Sequence, residues 1–325
     1  MTVGTISQLW RYPVKSMGGE QLTETVVDKR AFHADRLWAV RDLELGVVTT
    51  ARRLPLLLGC SARFLAEPPQ GVGPGDIADV AVTFPDGSEV TTHDREQLNA
   101  KLSELIGSAV ALVPLPPITD KSAYRTFLTS KRDIRRQFDL GDDDDLPDLS
   151  MFPVRKLAEL AVYATPIGIF ADAYPIHVIT SSSLAAMAEH EPNGDFDVRR
   201  FRPNIVIDTG DVRGLLEQAW LGGVLRSPDA AIRVEIPTIR CSMPLREQPQ
   251  YGLGSDPSVV RTISRHADRC FGIYADVEQA GTLHTGDPIA YEPPVRHGTI
   301  ESTVGRFADR LKRNAIRAGS RILPA

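Results

Sequence analysis

Val234-Glu235-Ile236-Pro237-Thr238-Ile239-Arg240-Cys241 is a β-type run that leads into an arginine and a cysteine. The pattern predicts a strand that ends at the proline, because proline cannot donate a ladder hydrogen bond. A cysteine just past a strand end, with a guanidinium beside it, can be held partly exposed as a thiolate, the form that ligates metals and attacks electrophiles. The alternative is a buried cysteine that acts as a small hydrophobe. The local pattern alone does not separate the two.

The regions on either side of this run contain short β-rich segments separated by turns, with few helices. This pattern predicts an α+β, β-dominated fold, with a barrel-like β architecture and peripheral helices in the second domain. We expect the first domain at residues 1–117, a linker and connecting segment at 118–170, the second domain at 171–292, and a C-terminal docking helix and tail at 293–325. Helices are predicted over Asp94–Ile106, with Asp94 as N-cap, and over Ser255–Arg265.

The connecting segment is rich in charge and includes the acidic run Asp142-Asp143-Asp144-Asp145. Such a run is typical of a solvated loop. A calcium loop is the alternative, but the run lacks the alternating acidic layout with a glycine and a terminal glutamate that calcium loops show.

The bulk properties limit the classes of function. The chain has 325 residues and a net charge of −5, which gives no reason to expect nucleic acid or an acidic membrane surface as partner. Three cysteines, Cys60, Cys241 and Cys270, are too few and too scattered for a disulfide framework or a zinc finger. With no signal-like start and no membrane-length apolar run, we expect a cytoplasmic protein.

Several common catalytic motifs are missing from the sequence: a dinucleotide-binding Gly-x-Gly-x-x-Gly after a strand, a P-loop and a Gly-x-Ser-x-Gly elbow. Basic and hydroxyl residues instead lie at predicted strand ends, among them Lys15, Arg36 and Arg202. Thr180 and Ser181 stand at a predicted helix N-terminus, where free N–H groups favour a phosphate. Each residue alone could be a surface charge or a cap. Together with Cys241 they would form a cationic pocket that binds a phosphate-bearing anion and offers a soft thiolate.

The chain resembles the MOSC proteins, whose name comes from the C-terminal module of molybdenum-cofactor sulfurases. The resemblance rests on five motifs that occur in order: Leu9-Trp10-Arg11-Tyr12-Pro13-Val14-Lys15-Ser16, Asp35-Arg36-Leu37-Trp38-Ala39-Val40, Arg202-Pro203-Asn204-Ile205-Val206, Arg240-Cys241 and the Gly281–Asp287 turn. A MOSC-associated β-barrel domain followed by a MOSC domain is similar to the layout of the mitochondrial amidoxime reducing component and its bacterial relatives.

The resemblance implies a pterin molybdenum cofactor (molybdopterin with mononuclear molybdenum), with Cys241 as metal ligand and catalytic residue. The implied cofactor-binding residues are Lys15, Ser16, Arg36, His177, Thr180, Ser181, Arg202, Asn204 and Arg240. The implied activity is reduction of N-hydroxylated or N-oxide compounds, a small-molecule substrate class, with electrons from a separate donor protein. The alternative is a carrier of molybdenum cofactor or sulfur that turns over no small molecule.

One segment departs from the family pattern. The reductases resembled here run from the cysteine through paired threonines to an Asp-Pro, whereas this chain has a longer, proline-rich segment at Ser242–Ser255 before Asp256-Pro257. We expect this loop to edge the metal site, with Met243, Leu245 and Tyr251 lining a partly apolar entrance. A third alternative, supported by this departure alone, is a MOSC scaffold that has lost the cofactor.

Overall fold

The structure is a computed structural model that describes residues 1–126 and 130–294. The β-strands of these residues are β1 Thr2–Arg11, β2 Glu20–Leu22, β3 Glu24–Val27, β4 Trp38–Asp42, β5 Val47–Val48, β6 Ser61–Phe64, β7 Val80–Thr83, β8 Glu89–Thr91, β9 Val110–Pro114, β10 Ile176–Thr180, β11 Ile205–Asp208, β12 Val224–Arg226, β13 Ala231–Ile239, β14 Cys270–Gln279, β15 Gly281–His284 and β16 Pro288–Glu292. The α-helices are α1 Arg95–Ile106, α2 Lys131–Phe138, α3 Val154–Val162, α4 Ser181–His190 and α5 Pro257–His266. The β-dominated α+β class predicted from the sequence is confirmed.

Most strands of the second half of the chain, together with β1, form a closed β-barrel. Its strands follow the order β11-β10-β14-β13-β12-β16-β1, and β1 pairs again with β11 to close it, while β2 extends β1 on the outside. Only the β10–β11 pair is parallel among these pairings. Buried aliphatic residues from facing strands, such as Ile6, Val178, Val234 and Ile273, fill the interior. Closure leaves the barrel without an unpaired edge.

Strand β13 does not end at Pro237, and that prediction is wrong. It continues to Ile239, with register shifts on either side of the proline in its pairing with β14. The pairing of β12 with β13 covers only Ala231 to Arg233, so the later part of β13 needs no donor on that side. A proline without an N–H group fits such a position. The strand therefore carries Arg240 and Cys241 beyond the end of the barrel ladder.

The first part of the chain adds two three-stranded sheets, β5-β4-β9 and β6-β7-β8. They share a core with α1 around the fully buried Trp38. Helix α1 begins as predicted, because the Asp94 side chain accepts a hydrogen bond from Gln97 N. It ends at Gly107, whose φ of 76° suits a residue without a β-carbon.

The strand pairing crosses the boundary predicted at residue 117. Strand β1 belongs to the barrel of the second half, and β3 pairs with β15. The three boundaries remain our proposal, and the two halves are joined by hydrogen-bonded strands as well as by the connecting segment.

The connecting segment at 118–170 contains helices as well as the acidic run. It contains α2 and α3, and α2 begins with a capping box between Ser130 and Asp133. The local capping signal was overlooked because the surrounding charge dominated the pattern. Asp142 to Asp145 are exposed, as expected of a solvated turn. The C-terminal helix and tail predicted for residues 293–325 lie almost entirely outside the described residues. No helix in the described ranges has the length and apolar character to span a membrane.

Candidate functional site

A pocket of about 670 Å³, partly open to solvent, lies where the end of β13 meets the turns after β1 and before β4. Eight of the ten residues singled out from the sequence line it: Lys15, Ser16, Arg36, His177, Arg202, Asn204, Arg240 and Cys241. They come from segments as far apart as Lys15 and Cys241, and the sheet pairing described above brings them together.

The lining is strongly cationic. Its basic side chains are Lys15, Arg36, Arg200, Arg202 and Arg240, and its acidic side chain is Asp172. When positive charges line a cleft with low-dielectric walls, their electric field is concentrated inside the cleft. Such a cleft favours an anionic ligand. Arginine forks in particular suit phosphate oxygens.

Lys15 is paired inside the pocket rather than solvated. Its Nζ donates to Asp172 Oδ1 at 2.5 Å and to Phe170 O at 3.0 Å, and Arg52 reaches the same carboxylate oxygen at 3.3 Å. Burial lowers the pKa of Lys15 to about 8, although the Asp172 charge opposes the shift. Burial alone would raise the pKa of Asp172, but Lys15 and Arg52 together hold it well below its usual range. The lysine therefore loses its positive charge at mildly alkaline pH.

Three pocket residues adopt left-handed backbone conformations although none is glycine. The φ angles are 72° at Ser16, 54° at Arg36 and 53° at Arg202. This conformation costs free energy for residues with a β-carbon, and such residues concentrate at functional sites. At Ser16 the turn is held because Oγ accepts a hydrogen bond from Ala51 N at 3.0 Å. The turns aim both guanidinium groups into the pocket.

The Tyr12 ring contacts two of these arginines. The guanidinium carbon of Arg36 lies 5.0 Å from the ring centroid and that of Arg202 lies 4.2 Å from it. Arg36 also pairs with Asp35, and Arg202 donates through Nη1 to Met17 O. The Nη2 atom of Arg202 is buried and has no acceptor among the described residues. A buried donor left open beside a pocket fits an anionic oxygen supplied by a ligand.

Cys241 differs from the other two cysteines in its surroundings. It is half-buried in the pocket wall beside Arg240, whereas Cys60 and Cys270 are buried, Cys60 within the hydrophobic core. Burial raises the pKa of Cys60 to about 12 and that of Cys270 to about 11. Both thiols therefore stay protonated and inert near neutral pH.

We expect Cys241 to be the fastest of the three thiols to react with an alkylating reagent in the ligand-free native protein. Its access to solvent and the neighbouring guanidinium favour attack, while the other two are shielded. Peptide mapping after brief labelling would measure the order. Faster modification of Cys60 or Cys270 would contradict the assignment, and labelling in denaturant provides the control in which all three should react.

Thr180 and Ser181 do not line this pocket, contrary to the expectation from the helix N-terminus. Thr180 Oγ1 caps α4 by accepting from Ser183 N, and it donates to the buried Glu217 Oε2 at 2.6 Å. Ser181 Oγ donates to Asp208 Oδ1 at 3.0 Å. Both hydroxyls are thus engaged by protein groups. Thr180 is the N-cap of α4, the role stated as the alternative, whereas Ser181 is the first residue of the helix and does not cap it.

The Ser242–Ser255 loop reaches the pocket only at its start. Met243 and Pro244 lie in the lining, whereas Leu245 is buried elsewhere and Tyr251 Oη accepts a hydrogen bond from Gly19 N at 3.1 Å. The expectation that Leu245 and Tyr251 line an entrance is therefore wrong. The loop instead bridges to the turn after β1.

The buried Arg200 side chain anchors this loop through hydrogen bonds from its guanidinium group. Its Nη1 donates to Pro244 O and Arg246 O, both at 3.2 Å, and its Nη2 donates to Gly254 O at 2.8 Å and to Asp195 Oδ2 at 2.7 Å. One guanidinium thus satisfies three loop carbonyls that would otherwise lack donors.

Sequence reasoning missed several lining residues, among them Asp172, Tyr174, Arg200 and Tyr274. Tyr174 and Tyr274 stack with ring centroids 5.8 Å apart and form an aromatic wall. Asp172 and Tyr174 lie directly before β10, in a position that a strand-end search could have found. Tyr274 lies within β14, and no local signal distinguishes it from a packing residue.

Residues 1–126 and 130–294 contain no group of three or more histidine, cysteine or acidic side chains arranged to hold a metal ion.

Two family models match the chain: the MOSC N-terminal beta barrel domain over residues 3–104 and the MOSC domain over residues 168–290. The chain therefore belongs to the MOSC-domain proteins, as the sequence motifs predicted. It is 26% identical over 307 residues to mitochondrial amidoxime reducing component 2 of Rattus norvegicus, an alignment that covers 88% of this chain and 83% of that protein.

Solved structures with similar chains include the YUAD protein from Bacillus subtilis, at a TM-score of 0.39 and 14% identity, covering 89% of this chain and 94% of that one. YiiM from Geobacillus stearothermophilus aligns at a TM-score of 0.29 and 20% identity over 39% of this chain and 57% of that one. TM-scores this low do not establish that either structure shares the fold of this chain.

Proposed function

We propose that this protein is a molybdenum-cofactor-dependent oxidoreductase that reduces N-hydroxylated or N-oxide compounds. The observation that carries the proposal is the placement of the half-buried Cys241 thiol in the same pocket as five basic side chains. A pterin molybdenum cofactor combines a soft metal with an anionic phosphate, and these two features need a thiolate and cationic donors respectively.

The residues fit such a group on independent grounds. The open Nη2 donor of Arg202 and the cationic lining suit phosphate oxygens, and Cys241 would supply the thiolate ligand to molybdenum. Lys15, Ser16 and Arg36 would hold the pterin and phosphate from one side, with Asn204 and Arg240 on the other. When bound, the cofactor supplies two-electron chemistry that removes oxygen from the substrate.

The relationship to a protein named an amidoxime reducing component supports the reductive direction and the N-hydroxylated substrate class. Electrons would come from a separate donor protein, since this chain has no recognisable motif for a second redox centre. The roles of the site residues and the identity of the donor are part of the proposal.

The test is a reduction assay with purified protein carrying molybdenum, a chemical reductant and a panel of hydroxylamines, amidoximes and N-oxides. We expect turnover of at least one N-hydroxylated compound and none after removal of molybdenum. Full molybdenum and pterin content without turnover of any compound would favour the carrier alternative and contradict the proposal.

Binding of an anion in the pocket should weaken as pH rises through about 8. Lys15 is charged below its lowered pKa of about 8 and neutral above it, so the pocket loses one positive charge at alkaline pH. Sulfate is a suitable probe because its own charge is constant in this range. We expect roughly tenfold weaker sulfate binding at pH 9.5 than at pH 7, from the loss of one charge-assisted hydrogen bond.

The matched control is Lys15→Met, in which this alkaline loss should disappear. Calorimetric titration at several pH values measures both proteins. An unchanged sulfate affinity in the native protein across this range would contradict the assigned role of Lys15.

A further inference from the structure

His177 lies behind Arg240, in the second residue of β10. Its Nε2 atom is 3.3 Å from Arg240 Nη1, and the other terminal nitrogen, Nη2, donates to Phe201 O at 2.9 Å. Both terminal nitrogens of the guanidinium are therefore held from the protein side. The Arg240 guanidinium still has N–H groups left for a ligand, because it carries five in all.

The backbone fixes the imidazole in this place. His177 N donates to Asn204 Oδ1 at 3.2 Å, and Asn204 N donates to His177 O at 2.8 Å. On the facing strand, Gly272 has a φ of 81°, and a β-carbon there would come within 2.5 Å of His177 Nε2. A glycine at this point of β14 thus leaves the space that the ring occupies.

The ring acts as an acceptor toward Arg240. Burial, and then the Arg240 charge, hold the pKa of His177 well below its usual range, so the imidazole is neutral. A neutral imidazole has one unprotonated nitrogen, and a guanidinium can only donate. A hydrogen bond between the two groups therefore runs from Arg240 Nη1 to His177 Nε2, which assigns the ring proton to Nδ1.

Orientation matters for a guanidinium because its donors lie in one rigid plane. Arg240 immediately precedes Cys241, and its Nη1 and Nη2 anchors set the angle of that plane in the pocket. Without the Nε2 acceptor, the guanidinium would lose its anchor at Nη1 and keep only the bond to Phe201 O and the contact with the Phe201 ring, whose centroid is 5.3 Å away.

We propose that His177 is a positioning residue, which through its Nε2 acceptor orients the Arg240 guanidinium toward an anionic group bound beside Cys241. This role rests on the proposed function, in which the anion is the cofactor phosphate. His177 itself does not need to touch the ligand.

The test is a pair of substitutions that differ in the acceptor. His177→Gln keeps an oxygen acceptor at the end of a side chain of similar reach, whereas His177→Met has similar length and no comparable acceptor. Sulfate affinity of the full chain, produced without molybdenum, is measured by calorimetric titration. We expect His177→Met to bind sulfate about fivefold more weakly and His177→Gln to stay within about twofold of the native protein. The surface substitution His93→Met serves as control.

A double-mutant cycle with Arg240→Met separates positioning from general packing. In the Arg240→Met background, His177→Met should change sulfate affinity by less than about twofold, because the guanidinium whose orientation His177 controls is gone.

Equal losses of sulfate affinity for His177→Gln and His177→Met, or an undiminished loss in the Arg240→Met background, would overturn the proposal. If His177→Met does not fold, a His177→Gln variant that binds sulfate fivefold more weakly would overturn it as well. Since sulfate binding needs no molybdenum, a protein that proves unable to load the cofactor would leave this assignment intact.

Discussion

Replacing Cys241 with alanine is expected to abolish molybdenum retention, and with it reductase activity, while the protein stays folded. The side chain is half-buried in the wall of a pocket, so its loss removes a thiolate ligand without opening a cavity in the core. Outer residues of a metal site cost about 10–100-fold in affinity when removed, and loss of a direct ligand should cost more. Metal analysis and circular dichroism of the purified variant measure the two effects.

Cys270→Ala is the matched control for this experiment. That thiol is buried at the start of β14 and lies outside the pocket lining, so the variant should keep native molybdenum content with a modest loss of stability. Equal metal content and turnover in Cys241→Ala and the native protein would contradict the assigned ligand.

Replacing Arg200 with methionine should give the largest loss of stability among the site variants. The side chain is 1% exposed, and its removal leaves the carbonyls of Pro244, Arg246 and Gly254 without their donor. Unpaired buried polar groups of this kind cost about 2–4 kcal/mol in total, with the exposed Asp195 carboxylate adding little. Denaturant unfolding followed by fluorescence measures the change.

Arg199→Met provides a closely matched control one residue away. Arg199 pairs with Asp197 at 2.5 Å near the surface and lies 4.9 Å from the ring centroid of Tyr251 in the same loop, and each of these exposed contacts contributes below about 1 kcal/mol. Proteolysis should also cut the Ser242–Ser255 loop faster in Arg200→Met than in Arg199→Met, since the loop loses its anchor. Similar unfolding free energies for the two variants would show that the loop does not depend on Arg200.

The barrel strands were predictable because their local patterns agree with their final environment. Strand β10, Ile176–Thr180, is one example, because four of its five residues are β-branched and all five are buried. The end of β13 was placed too early, because whether a proline ends a strand depends on which neighbour needs its missing N–H. The assignment of β1 to the barrel could not follow from local pattern either, because pairing between Leu9 and Ile205 joins residues far apart in the chain.

In the site, too, local sequence patterns identified some residues, whereas contacts between distant segments determined the positions of others. Strand-end position and charge identified Lys15, Arg36 and Arg202, whose turns direct them into the pocket. Thr180 was misplaced because a buried carboxylate at Glu217 takes its hydroxyl, and that partner lies 37 residues away. The path of the loop after Cys241 depends on Arg200, which sequence reasoning left aside. Contacts between distant segments decided each of these cases.

The central claim is that the pocket around Cys241 binds a pterin molybdenum cofactor. Its most direct test is the molybdenum and pterin content of the native protein, purified from a host that makes the cofactor. The account predicts molybdenum and pterin in near-equal amounts approaching one per chain, both lost on substitution of Cys241. Protein that is fully folded and free of both, under conditions in which another molybdenum enzyme is loaded in the same cells, would contradict it.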